Sequence, residues 1–286
     1  MPEAVFRVRI PHGGERLAVG AVDDGPRAML DAGITLDRLL SAGGPSLADA
    51  LSMGDDVVPG GARVLAPIGS QEIWAAGVTY LRSRDARVEE AVEASVYDRV
   101  YEAERPELFF KSPGWRARGP GEAIGIRSDS SWDVPEPELT LVVDAGLRIV
   151  GYTIGNDASS RSIEGDNPLY LSQAKIYEGS TGLGPAIVPA TEVDPPFGIA
   201  IRISRGGETV YDAATSSGEM ARSFEELVAY LGRALRFPLG VFLMTGTGLV
   251  PGAGFTLSPD DVVTISVDGL GELRNPVERV GAAAPA

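Results

Sequence analysis

Three carboxylates stand out for their type and spacing. The stretch DVPEPELTL, residues 133–141, carries Glu136 and Glu138 two residues apart, at the start of an apolar run. In a strand such residues point to the same face. Like charges side by side repel, so either water solvates them or a cation compensates. The next strand-like run, RIVGYTIGND, ends in Asp157, and DAGL supplies a turn between the two runs. If they pair as neighbours, Asp157 approaches the Glu-x-Glu face. Three carboxylate oxygens with water filling the remaining positions suit an octahedral Mg²⁺ or Mn²⁺. The plainer alternative is a solvated strand face with Asp157 as a cap. Pro137 lacks an N–H for a ladder, which predicts an edge or a bulge at that point.

The composition narrows what else the chain can do. It has no cysteine, which excludes thiolate zinc sites, disulfides and a cysteine nucleophile. Its one histidine, His12, is the only imidazole available as a base. A net charge of −15 opposes binding to phosphate backbones, so no nucleic-acid partner is expected. Apolar runs such as AIVPA and GVFLM are far too short to span a bilayer, and the N-terminus MPEAVFRVRI is charged where a signal peptide needs an apolar core. A cytoplasmic protein with no membrane partner is the expectation.

The elements that must position the carboxylates fall into two parts. Residues 1–66 read as a small N-terminal α+β domain. VFRVRI alternates as a half-buried strand does, ERLAVGAV continues as a second strand, and TLDRLLSAG and PSLADALS read as short helices. Residues 67–280 are rich in short strand-like runs separated by turns, and SRGGETV reads as a hairpin. SFEELVAYLGRAL is a helix with Ser223 as N-cap and Glu226 three residues on. Residues 84–104 read as a long, highly charged helix, either a lid or a solvated surface helix. The tail 281–286 is expected to be disordered.

The order of the motifs carries more than any one of them. AAGVTY (75–80), PELFFKSP (106–113), PEPELTLVV (135–143), GYTIGNDASSRSIE (151–164), QAKIYEGSTGLGPAIV (173–188) and LMTGTG with LSPDDVVTISVDGLGELRNPV (243–277) together resemble the fumarylacetoacetate hydrolase family. The resemblance covers roughly residues 66–280. It implies an α+β chain with a mixed β-roll, barrel-like catalytic domain. It implies Mg²⁺, with Mn²⁺ or Ca²⁺ as alternatives, held by Glu136, Glu138 and Asp157. It implies an active-site lysine at Lys175, substrate contacts from Thr245 to Thr247 and from Lys111 and Ser112, and a homodimer or homotetramer. Family substrates are 2-oxo acids or 1,3-dicarbonyls, which a divalent cation activates as a Lewis acid. Lys175 would add positive charge and exchange protons.

The chain also departs from the hydrolytic members. Those carry a His and a Glu after a GxNY segment, whereas GVTYLRSRDARVEE has Thr79 in place of the Asn and no histidine. Arg82, Ser83 and Arg84 stand there instead, suited to a substrate with a carboxylate and hydroxyls. VTYLRSR, YLSQAKIYEGSTGLGPAIV and LMTGTGLVP look most like the sugar-acid dehydratase branch. That branch implies loss of water from a 2-dehydro-3-deoxy-pentonate to give 2,5-dioxopentanoate through a metal-stabilised enolate, with no activated water needed. Lys175, Glu89, Glu90 and Glu178 are candidate bases. Acylpyruvate hydrolysis, oxaloacetate decarboxylation and a non-catalytic metal-binding relic are the competing readings.

Overall fold

The structure, a computed structural model, describes residues 1–11, 13–81 and 100–281. The first part of the chain supplies strands β1 (Glu3–Arg9), β2 (Glu15–Ala21), β3 (Ala28–Met29), β4 (Asp56–Val57), β5 (Arg63–Leu65), β6 (Glu72–Gly77) and β7 (Glu107–Pro113). The middle adds β8 (Ile124–Arg127), β9 (Asp133–Val134), β10 (Pro137–Val143), β11 (Ile149–Asp157), β12 (Ser159–Ser160) and β13 (Thr181–Pro189). The last part adds β14 (Gly198–Arg205), β15 (Glu208–Ser216), β16 (Val241–Met244), β17 (Val262–Val267) and β18 (Gly271–Val280).

The large sheet runs β4-β3-β2-β1-β13-β11-β10-β16-β6-β7, with β5 also on β1. The second sheet runs β15-β14-β17-β18-β8. Both are mixed: β16–β6 and β18–β8 are parallel, and their neighbours are antiparallel. The large sheet is open, with β4 and β7 at its two ends, so the roll is not a closed barrel. β1 pairs with β13 at Val5–Ile187, which joins the N-terminal strands to the sheet that carries β10 and β11. The expected boundary at residue 66 falls between β5 and β6.

Local signals account for the short elements. Ser46 and Asp49 cap helix Leu47–Ala50 reciprocally, and Ser223 Oγ accepts the Glu226 N–H at the start of helix Phe224–Leu231. Gly206 and Gly207 have φ of +59° and +89°, as a tight two-residue hairpin turn between β14 and β15 requires. The expected charged helix falls largely on residues 82–99, outside the described residues, as do His12 and the tail beyond Gly281. No helix among the described residues is long and apolar enough to cross a membrane.

Two apolar clusters clamp β10, the strand that begins within the Glu-x-Glu motif. Leu139, Leu141 and Val143 pack into one cluster with Ile199 and Ile265, between the two sheets. Val142 turns the other way, into a cluster with Leu40, Ile187 and Phe242. Burying each such side chain contributes about 1.5–3 kcal/mol, so β10 is held from both faces. Glu136 and Glu138 share the parity of Val142, and a one-residue slip would bury them in the wrong cluster.

Candidate active site

The β10–β11 register builds the acidic cluster. Pro137 lies opposite Asn156 and Glu138 opposite Gly155, and the Asp157 N–H donates to the Glu136 carbonyl at 2.9 Å. Glu136, Glu138 and Asp157 each present a carboxylate oxygen, all within 4.8 Å of one another, and all three residues are buried. The solvated-face alternative is therefore wrong. Pro137 needs no bulge, because it is the first residue of β10 and β16 pairs only along Thr140–Val143. The register shift in this hairpin lies at Val142/Val143 instead.

Three buried cations surround the carboxylates. Lys175, at the end of helix Leu171–Lys175, donates from Nζ to Glu136 Oε2 (2.8 Å), Asp157 Oδ2 (3.1 Å) and Ser159 Oγ (2.6 Å). Lys111, on β7, places Nζ 2.6 Å from Asp157 Oδ1 and also donates to the Lys175 carbonyl. Arg161, just after the cap residue Ser160, puts Nη2 3.1 Å from Glu136 Oε1 and Nη1 3.6 Å from Glu164 Oε2. Buried charges persist only when paired in this way. Burial pushes the Glu138 carboxyl well above its ordinary range, and Asp157 and Glu136 push it further; Lys175 and the Gly246 N–H pull it back. Burial lowers the Lys111 ammonium, against the pull of Asp157.

The TGT segment sits against the same cluster. The Gly246 N–H donates to Glu138 Oε2 at 2.6 Å. Thr245 donates from both its backbone N–H (3.0 Å) and its hydroxyl (2.9 Å) to the Leu139 carbonyl. The Thr247 hydroxyl closes a local turn with Leu249, donating to its carbonyl at 3.2 Å and accepting its N–H at 3.1 Å. The Ser112 hydroxyl turns to the Pro113 carbonyl at 3.1 Å. Arg82, Ser83 and Arg84 lie outside the described residues, as do Glu89 and Glu90. Glu178 is half-exposed and paired with Arg118 at 2.6 Å, away from the cleft, which removes it as a base.

A narrow cleft opens onto Glu136, Asp157, Lys175 and Thr247. Glu107, Glu164 and Val78 also line it. Larger hollows exist elsewhere, one beside Arg7 and Asp37 and one beside Pro196 and Phe224. Neither gathers buried carboxylates and lysines, so the chemistry belongs to the smaller cleft. Sequence reasoning missed Arg161, Glu164, Glu107 and the Gly246 N–H. Arg161 and Glu164 lie inside GYTIGNDASSRSIE and Glu107 inside PELFFKSP, but nothing in their spacing pointed to the cleft.

The donor set fits a hard divalent cation. It is all oxygen, anionic and convergent, and Glu136 and Asp157 line the cleft. With a divalent cation bound, four buried carboxylates would face three buried cations and the ion, which would leave the site positive toward an anionic ligand.

This fold is that of a known class. Residues 72–278 match the model of the fumarylacetoacetate (FAA) hydrolase C-terminal domain, and the chain belongs to that family. A probable 2-keto-3-deoxyxylonate dehydratase from Haloferax volcanii is 50% identical over 216 residues, covering 75% of this chain and 74% of that one. The 2-dehydro-3-deoxy-D-arabinonate dehydratase of Saccharolobus solfataricus is 41% identical over 223 residues, covering 76% and 75%. The solved structure of a 2-keto-3-deoxy-D-arabinonate dehydratase with magnesium and 2,5-dioxopentanoate superposes with a TM-score of 0.84 at 33% identity, covering 98% of this chain and 100% of that one. Its apo form gives a TM-score of 0.85 at 34% identity.

Proposed function

We propose that the protein is a magnesium-dependent hydro-lyase that removes water from a 2-dehydro-3-deoxy-pentonate to give 2,5-dioxopentanoate. The observation that carries this reading is the buried Glu136–Glu138–Asp157 triad with Lys175 across it, at the floor of a cleft. Similarity to sugar-acid dehydratases over three quarters of the chain supports the substrate class.

Glu136, Glu138 and Asp157 would hold the cation, which supplies Lewis acidity toward the oxygens of a 2-oxo acid. The chain's own groups then handle protons and position. The reaction takes a proton from C3 and a hydroxyl from C4 of the sugar acid. Lys175 Nζ, held by two carboxylates and Ser159, is placed to hold or move a proton at the cleft floor. Glu107 lines the same cleft outside the triad and offers a second proton-transfer group. Thr247 lines the cleft beside them, while Lys111, Ser112 and Thr245 spend their polar atoms on the frame. Arg82, Ser83 and Arg84 complete the proposal as contacts for the substrate's carboxylate and hydroxyls. The reading extends to a cytoplasmic homodimer or homotetramer, with residues 1–66 as a small N-terminal domain; light scattering measures the assembly.

The test is product analysis. With Mg²⁺ and a 2-dehydro-3-deoxy-pentonate, semicarbazide should trap 2,5-dioxopentanoate. Pyruvate released from acylpyruvates, with no 2,5-dioxopentanoate from the pentonate, would instead establish C–C hydrolysis.

A further inference from the structure

A hydrogen-bonded chain reaches the acidic cluster from behind through one peptide plane. The Thr79 hydroxyl donates to the Thr245 carbonyl at 2.6 Å. The N–H of that same peptide unit belongs to Gly246 and donates to Glu138 Oε2 at 2.6 Å. All the side-chain atoms involved are buried, where such bonds polarise and orient one another. A rotation of the Thr245–Gly246 peptide would break both bonds at once.

The neighbourhood of this plane is built to prevent that rotation. Gly246 sits at φ +88°, and a Cβ there would lie 2.1 Å from Thr79 Oγ1, so only glycine fits. Thr245 pins the same segment to Leu139 with two bonds to one carbonyl. Thr79 is itself fixed, since its carbonyl accepts the Ala221 N–H at 2.8 Å and Tyr80 bridges to Met220. Immediately before it, Val78 holds φ +53°, a conformation that β-branched residues strongly avoid. Strain of this kind persists where the surroundings enforce it, and Val78 lines the cleft.

We infer that Thr79 is a positioning residue: its hydroxyl locks the Thr245–Gly246 peptide so that the Gly246 N–H aims the Glu138 carboxylate at the cation position. This rests on the metal reading proposed above. Among the described residues, Glu136 and Asp157 are each held by a lysine or arginine at hydrogen-bond distance, whereas Glu138 is held by this N–H, so its aim depends on it. Outer-shell partners of metal ligands act in this way and typically matter about 10–100-fold in affinity.

The experiment titrates Mn²⁺ into the full-length protein and follows free Mn²⁺ by electron paramagnetic resonance. Wild type and Thr79→Ser, which keeps the hydroxyl, should bind alike. Thr79→Val, which keeps the shape and loses the donor, should bind about tenfold more weakly, with its melting temperature in chelator close to that of wild type. Gly246→Ala should weaken binding by at least as much, and it carries the test if Thr79→Val fails to fold. Equal Mn²⁺ affinity in Thr79→Val and wild type, or a Thr79→Ser as weak as Thr79→Val, would overturn the inference while leaving the metal site standing. Absence of Mn²⁺ binding by wild type would overturn the metal reading and this inference together.

Discussion

Lys175 Nζ stands 2.8 Å from Glu136 Oε2 and 3.1 Å from Asp157 Oδ2, bridging a strand start and a strand end that are 21 positions apart in the chain. Its side chain is 2% exposed, so the charge is committed to this cluster and to whatever enters the cleft. Lys175→Ala should lower kcat about 10²-fold or more, the usual scale for a proton-transfer group. Mn²⁺ affinity should change far less, because the carboxylates remain. Steady-state kinetics beside metal titration separates the two effects, and weakened metal binding at normal kcat would contradict the assignment.

Glu138→Gln removes one anion from a crowded cluster. In chelator the variant should melt at or above wild type, since burial first, and then Asp157 and Glu136, already disfavour the Glu138 charge. Saturating Mg²⁺ should stabilise wild type by about 2.7 kcal/mol at a hundredfold excess over Kd, and should do little for the variant. Thermal melts with and without Mg²⁺ measure both, and turnover should be lost.

Lys111 is 0% exposed and holds Asp157 to the end of the helix that carries Lys175. Lys111→Met leaves a buried carboxylate short of a partner, and such losses amount to about 3–5 kcal/mol. Denaturant unfolding should show that loss. A stability within error of wild type would mean that water replaces the ammonium.

Asp133 offers a pH test away from the triad. It is buried, its Oδ1 has no hydrogen-bond partner among the described residues, and desolvation raises its carboxyl to about 6, against weaker help from Ser130 and Arg127. A raised folded pKa stabilises the fold at low pH, and that contribution is lost as pH climbs through about 6. Asp133→Asn mimics the neutral acid. Relative to wild type it should gain roughly 1–3 kcal/mol between pH 4.5 and pH 7.5, measured as urea midpoints at the two values.

What could be read from the chain divides along physical lines. The meeting of Glu136, Glu138 and Asp157 was legible because a strand has period two and DAGL offers a short connection, so the register follows from neighbours in sequence. Helix Phe224–Leu231 was legible because Ser223 and Glu226 announce its start. The hairpin at Gly206–Gly207 was legible because both residues must reach positive φ. The Gly246–Glu138 bond spans 108 positions and the Arg161–Glu136 pair joins a helix start to a strand start. Such contacts have no period, and only the folded sheets create them. Glu178 misled for the same reason: it follows Lys175 by three positions, yet the chain turns and delivers it to Arg118 at the surface.

The pairing of β1 with β13 has a consequence for how the molecule can be divided. β13 is the strand next to β11, and β1 occupies its outer edge. A fragment beginning at β6 would expose that edge, a row of unsatisfied amides and carbonyls one strand removed from Asp157. Such a fragment would seek strands from other molecules before it could serve as a minimal enzyme. The opening residues therefore act as a seam guard for the catalytic half, and insertions or truncations there should register first as clumping and only afterwards as lost turnover.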